Sequence, residues 1–86
     1  MYSLEVVEKV DRIFKKLSKK DSAQFDALTK KVTAILENPQ QFKPLKYPMQ
    51  HMHRVHVGSF VLVYDIDEAR KAVTIRRYEH HDTAYK

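Results

Sequence analysis

The sequence predicts an α+β domain: an N-terminal antiparallel helix hairpin packed on a three- to four-stranded antiparallel sheet, with a short C-terminal tail. Three observations carry that expectation. Apolar residues recur at helical spacing as far as residue 36 and alternate at a spacing of two from residue 52 onward. Between the two halves, "FKPLKYP" at residues 42–48 places two prolines in seven positions, which suits an extended connection and not a helix. Gly58-Ser59 stands between two β-type runs, where a hairpin turn belongs.

The elements follow in order. Val6, Val10, Ile13, Phe14 and Leu17 form one stripe, with Glu8, Asp11, Arg12, Lys15 and Lys16 between them, which describes an amphipathic helix. A second helix starts at "KKDSAQF", where Asp21 can cap and Gln24 sits three residues on. Its buried stripe is Phe25, Leu28, Val32, Ile35 and Leu36, and Asn38-Pro39 stops it. The break "SKKDS" is too short for anything but an antiparallel hairpin of helices. "HRVHV" and "FVLVYDI" then flank a turn whose leading glycine suits type II′, and "AVTIRRY" extends the meander after the polar "DEARK". "YSLEV" is compatible with a further short strand, and its overlap with the helical pattern leaves both readings open. No repeat or boundary divides the chain, so residues 1–86 read as one domain.

Strand parity sorts the side chains by face. Val55 and Val57 share one side of their strand and Arg54, His56 and Met52 the other. If the valines meet the helices, Arg54 and His56 point away. In the last strand Val73 and Ile75 match the helix side, which puts Thr74, Arg76 and Tyr78 opposite, with Arg77 near the exit. The far face is therefore expected to be basic. "FVLVYDI" is apolar on both sides, as a covered central strand would be, and the tail and "FKPLKYPM" are the available covers.

Composition narrows the function. With 43% hydrophobic and 31% charged residues the chain has the makeup of a folded soluble protein, and its single glycine argues against linker segments. Sixteen Lys and Arg against eleven Asp and Glu give +5, a field that favours phosphate-bearing or acidic partners. The absence of cysteine excludes a disulfide framework and a thiolate zinc site. No stretch reaches membrane-spanning length and "MYSLEVVEKV" lacks signal-peptide order, so a cytoplasmic location is the expectation.

The chemistry concentrates in "RRYEHHDTAYK", residues 76–86. Cutting an RNA phosphodiester without metal needs a base for the 2′-OH, cations for the pentavalent phosphate and an acid for the leaving oxygen. Arg54 and His56 on one strand, with Arg76, Arg77, His80, His81 and Tyr85 on the last strand and tail, supply such a set if the sheet joins the segments.

"LKYPMQHMHRVHVGSFVLVYDID" followed by "VTIRRYEHHDTAYK" resembles the RelE/ParE superfamily of type II toxins, especially its RelE-like messenger-RNA-cleaving branch. The matches are Leu45-Lys46, Arg54-Val55-His56, Val57-Gly58-Ser59-Phe60, the apolar run Val61 to Tyr64, and His80-His81 with Tyr85, and the helix hairpin ending in "ILENP" fits as well. The resemblance implies a RelE-like fold and a cytoplasmic endoribonuclease acting on messenger RNA in the ribosomal A site. It also implies a cognate antitoxin and no cofactor. On this reading Arg54, His56, Arg77, His80, His81 and Tyr85 are the catalytic candidates, Arg77 stabilising transition-state charge, while Lys46, Arg76 and Lys86 contact RNA. Two departures stand out. Val61 occupies a position where several active members carry Arg, and Glu79-His80-His81 replaces the usual Gly-His-Arg. The alternative is a non-catalytic binding module of the same fold, gyrase-directed like ParE or merely antitoxin-binding.

Lysine pairs on the helices, Lys19 and Lys20 among them, could track ribosomal RNA, although such pairs usually mark a solvated face. A metal site among the histidines is disfavoured, since His51 and His53 share a face with Val55 and not with His56. Tyr2, Tyr47 and Tyr64 read as packing residues, and neither helix opens with a DNA-reading pattern.

Overall fold

The computed structural model describes residues 1–46, 48–49 and 51–84. Strand β1 (Ser3–Val6) leads into helices α1 (Glu8–Lys20) and α2 (Ser22–Glu37). A single 3-10 turn (Pro39–Gln41) and an extended segment follow, then β2 (Met52–Val57), β3 (Phe60–Asp67), β4 (Ala72–His80) and a short α3 (His81–Ala84). The architecture is the expected α+β.

The first helix runs further than its stripe suggested, so Asp21 alone separates α1 from α2. Asp21 serves both helices. Its backbone N–H caps α1 on the Leu17 carbonyl, while its side chain accepts from the Gln24 N–H at 3.0 Å at the start of α2. Glu8 and Asp11 in the first turn of α1 and Lys19 and Lys20 in its last turn complement the helix dipole.

The sheet order is β1-β4-β3-β2. β2, β3 and β4 form the expected antiparallel meander, whereas β1 joins the far edge parallel to β4, making the sheet mixed. An antiparallel neighbour for β4 on that edge would need a reversed chain direction, whereas β1 runs the same way as β4 and hands over directly to α1 through Val7. Gly58 adopts φ 60° while Ser59 does not take a positive φ, in keeping with the type II′ turn that the sequence suggests.

The helices cover one face of the sheet. Val10, Leu28 and Ile35 meet Val55, Val57, Leu62, Tyr64, Val73, Ile75 and Tyr78 in a single buried core. Tyr64 donates its hydroxyl to the buried Pro39 carbonyl at 2.7 Å, tying the exit of α2 to the central strand.

Parity fails at one point. Tyr64 pairs with Ile75, but the next residue, Val63, pairs with Arg77, so Arg76 is an extra residue in a β-bulge. Beyond the bulge the faces exchange. Tyr78, expected on the outer face, turns inward: it is 3% exposed, its ring stacks on Phe60 at 4.9 Å and meets Phe14 edge-on at 5.3 Å. The Gln24 side chain donates to its hydroxyl at 2.6 Å.

The segment expected to cover the outer face extends the sheet instead. Arg54 donates its N–H to the Lys43 carbonyl at 3.1 Å and Leu45 donates to the Met52 carbonyl at 2.8 Å, with Pro44 opposite His53. These bonds occupy the edge of β2 that would otherwise expose unpaired backbone groups.

Candidate functional site

The outer sheet face is built from two cross-strand rows. Arg54, Val63 and Arg77 form one, and His56, Val61 and Glu79 the next. The bulge decides the first row, because with unbroken alternation Arg77 would have faced the helices. Strand spacing sets the backbones of Arg54 and Arg77 roughly 10 Å apart, a gap that two long guanidinium side chains can close around an anion. Val61 and Val63 are 2% and 9% exposed and give the rows an apolar floor.

The tail closes one end. His81 donates its N–H to the Ser59 carbonyl at 2.8 Å, which fixes the start of α3 at the β2–β3 turn. Its ring then lies 5.8 Å from that of His56, tilted by 34°. Asp82 Oδ1 is 3.6 Å from His81 Nδ1. The two adjacent tail histidines therefore separate: His80 pairs with Phe60 in the ladder and meets its ring edge-on at 5.5 Å, on the helix side of the sheet.

At the other end Lys46 and Arg54 come together with Lys43, Pro44 and Leu45 around a recess of about 120 Å³. Lys43 was not singled out in the sequence; its signal was its place in the Pro-rich segment that pairs with β2. Lys19 and Lys20 are exposed on α1, in the helix layer and away from these rows. Tyr85 and Lys86 lie outside the described residues, as does Tyr47.

The face is less basic than expected. Arg76 donates from Nε to Asp65 Oδ2 at 2.7 Å. Arg77 forms a two-pronged pair with Glu79, Nη2 to Oε2 at 2.8 Å and Nε to Oε1 at 3.2 Å. Glu79 had appeared only as a departure from a pattern; the readable signal was Arg-x-Glu on a strand, which puts both side chains on one face.

His53 lies on the opposite, helix-facing side, 5% exposed and stacked on Tyr64 at 5.4 Å with its Nδ1 unpartnered. Burial lowers its pKa below the ordinary 6.5, as it raises those of Tyr64 and Tyr78 above 10. These three are core groups. Among the described residues no three His, Asp or Glu side chains converge as a metal cage, and no helix is long and apolar enough to cross a membrane.

The sequence profile of the family described as "ParE toxin of type II toxin-antitoxin system, parDE" matches residues 1–85. The chain belongs to the RelE/ParE superfamily of type II toxins. A relative from Methanocaldococcus jannaschii, provisionally named toxin RelE4, is 41% identical over 87 residues, covering 100% of this chain and 93% of that protein. An uncharacterized protein of Methanosarcina mazei is 45% identical over 86 residues, covering 99% of this chain and 100% of its own. In the solved structure of the intact Escherichia coli RelBE toxin-antitoxin complex, one chain superposes with a TM-score of 0.79 at 22% identity, covering 93% of this chain and 96% of that one. At that identity the structural likeness speaks for the RelE-like fold.

Proposed function

We propose that this RelE/ParE protein is a metal-independent endoribonuclease that cleaves messenger RNA in the ribosomal A site and is neutralised by a cognate antitoxin. The observation that carries the reading is the outer face, where Arg54, Arg77, His56 and His81 gather over an apolar floor. One imidazole of the His56–His81 pair takes the proton of the 2′-OH, whose oxygen attacks phosphorus. Arg77 and Arg54 hold the non-bridging oxygens as charge builds. The other imidazole protonates the departing 5′ oxygen, leaving a 2′,3′-cyclic phosphate and a free 5′-OH. An imidazole suits both tasks because its ordinary pKa lies near neutrality.

Lys46 and Arg76 extend the track for the RNA backbone, with Lys19, Lys20 and Lys86 as auxiliary contacts. Tyr85 stacks on a base or assists proton transfer. Of the two tail histidines, His81 is favoured by its place beside His56, and His80 then supports the site from the Phe60 side. The RelE4 name of the M. jannaschii relative and the complexed state of the E. coli neighbour support the toxin role and the antitoxin partner. An antitoxin would wrap the charged sheet face and the helices with an amphipathic segment. The site of action is the cytoplasm.

A second reading has its own support. The matching family profile carries the ParE description, Val61 is buried where several active relatives carry Arg, and both exposed arginines of β4 hold carboxylates. These favour a non-catalytic, gyrase-directed toxin. Mapping messenger-RNA 5′ ends on translating ribosomes, with the protein and its His56→Ala/His81→Ala variant, separates the two. Cuts at A-site codons that vanish in the variant support the nuclease; intact messages with both proteins refute it and turn attention to gyrase.

A further inference from the structure

The Arg77–Glu79 pair has the shape of a ligand complex. A carboxylate presents two oxygens to the guanidinium fork as a phosphate does, and here both prongs are engaged. Glu79 stands in the row of His56 and Val61, one step along β4 from the Arg54–Arg77 row and two residues before His81. Its carboxylate thus sits, at the β4 end of that row, on the guanidinium that would hold a scissile phosphate.

We propose that Glu79 is an internal phosphate mimic, which holds Arg77 in its working orientation and must be displaced by an RNA phosphate before the site can be filled. The inference rests on the reading of this face as an RNA-handling surface, whether or not the surface cuts. Pair exposure sets the size of the effect. The Arg77 side chain is 52% exposed and that of Glu79 25%. A pair so accessible to water shifts an equilibrium by no more than about fivefold. Glu79 therefore acts as a weak latch: isolated phosphates compete poorly, whereas an RNA backbone held at Arg54 and Lys46 as well can displace it. Specificity for a polymeric substrate follows from that competition, because several contacts must be made together.

The test measures binding, so that it is independent of cleavage. The probe is a fluorescein-labelled RNA hexamer carrying 2′-O-methyl groups, which cannot be cut, titrated with the full chain and its variants at about 0.1 M ionic strength, where charges more than about 10 Å away are largely screened. Glu79→Gln is expected to bind about fivefold more tightly than the parent, and Glu79→Ser, which removes the charge by a different side chain, to do the same. Glu37→Gln, which changes net charge equally at the C-terminal end of α2, beside the Leu36 carbonyl that Tyr2 meets at the opposite end of the sheet, is expected to shift affinity by less than about twofold. In an Arg77→Ala background the Glu79→Gln effect should disappear, since the latch has lost its partner. Equal binding by the parent and both Glu79 variants overturns the proposal, as does a Glu79→Gln gain that survives Arg77→Ala, because the effect would then be one of bulk charge. Absence of binding by every protein also overturns it. Failure of the nuclease reading looks different: tighter hexamer binding by Glu79→Gln with ribosomal messages left intact.

Discussion

Deleting Arg76 should leave the fold standing at little cost, whereas deleting Thr74, two positions earlier on the same strand, should cost clearly more. Arg76 is the bulged residue, with Ile75 and Arg77 facing the consecutive residues Tyr64 and Val63. Its removal closes the ladder without changing which side chains face the helices. The loss is the Arg76–Asp65 pair, in which the two side chains are 49% and 19% exposed. Such a pair contributes about 0.5–1 kcal/mol, and closing the bulge adds local strain, so a total near 1 kcal/mol is expected. For a chain of this length that lowers the melting midpoint by about 4–8 °C. Thr74 is paired on both sides, with Asp65 and Glu5. Without it, either Val73 or the set Ile75 and Tyr78 must rotate to the wrong face. Val73 and Ile75 are 0% exposed and Tyr78 3%, and each burial is worth about 1.5–3 kcal/mol. Losing Val73 alone costs about 1.5–3 kcal/mol and losing the other two about 3–6 kcal/mol, so even the cheaper outcome exceeds the Arg76 loss and takes a large share of a small domain's stability of about 5–15 kcal/mol. Urea unfolding followed by circular dichroism measures both variants. A Thr74 deletion as stable as the Arg76 deletion, or an Arg76 deletion that exposes Tyr78, would refute the bulge as the reason this face carries Arg77.

Three further outcomes are expected. Since burial depresses the pKa of His53, the unfolded chain binds its proton first; stability should be level above about pH 6.5 and fall as the pH drops through 6.5 toward the lower folded value. His53→Phe, which keeps the ring beside Tyr64, should flatten that decline in melts taken between roughly pH 7 and pH 5. Lys71 holds φ 51°, a left-handed conformation that costs a side-chain-bearing residue about 1 kcal/mol. Lys71→Gly should raise stability in urea melts, because it relieves that cost and gives up only an exposed pair with Glu68, and a destabilised variant would show that the Lys71 contacts with Glu68 and Tyr2 outweigh the strain. If the face cleaves RNA, Arg77→Ala should lower the single-turnover rate on ribosomes by roughly 10²–10³-fold, the usual loss when one donor to a developing oxyanion is removed; an unchanged rate would take Arg77 out of the chemistry.

The local elements were legible because their causes are local. Helix stripes, the Asp21 cap and the glycine turn each depend on residues within a few positions of one another, and all three stand where the sequence puts them. The parallel pairing of β1 was not legible, since nothing in "YSLEV" specifies a partner strand some 70 residues away. The bulge left a trace that simple alternation overrode. Ile75 and Tyr78 are three apart with two arginines between them, and a strand can bury both ends of that spacing only by spending an extra residue. That one residue accounts for the reversal at Tyr78 and for Arg77 facing outward. The separation of His80 from His81 follows from the same strand's last steps, with the chain turning into α3 at the Ser59 carbonyl. The carboxylate partners of the arginines were missed because counting charges says nothing of their pairing.

The seam between β1 and β4 joins residues that are synthesised far apart in time. Ser3 donates to the Lys71 carbonyl and Val7 to that of Ile75, while Tyr2 donates to Leu36. A growing chain can form its helix hairpin early, but its first strand waits unpaired until residues 72–75 are available, and closing so long a loop is slow relative to local folding. β4 is also the strand that carries Arg77 and leads to His81. Structural closure and assembly of the charged face are therefore one late event, and a partly made chain has neither a finished sheet nor a complete set of groups with which to act.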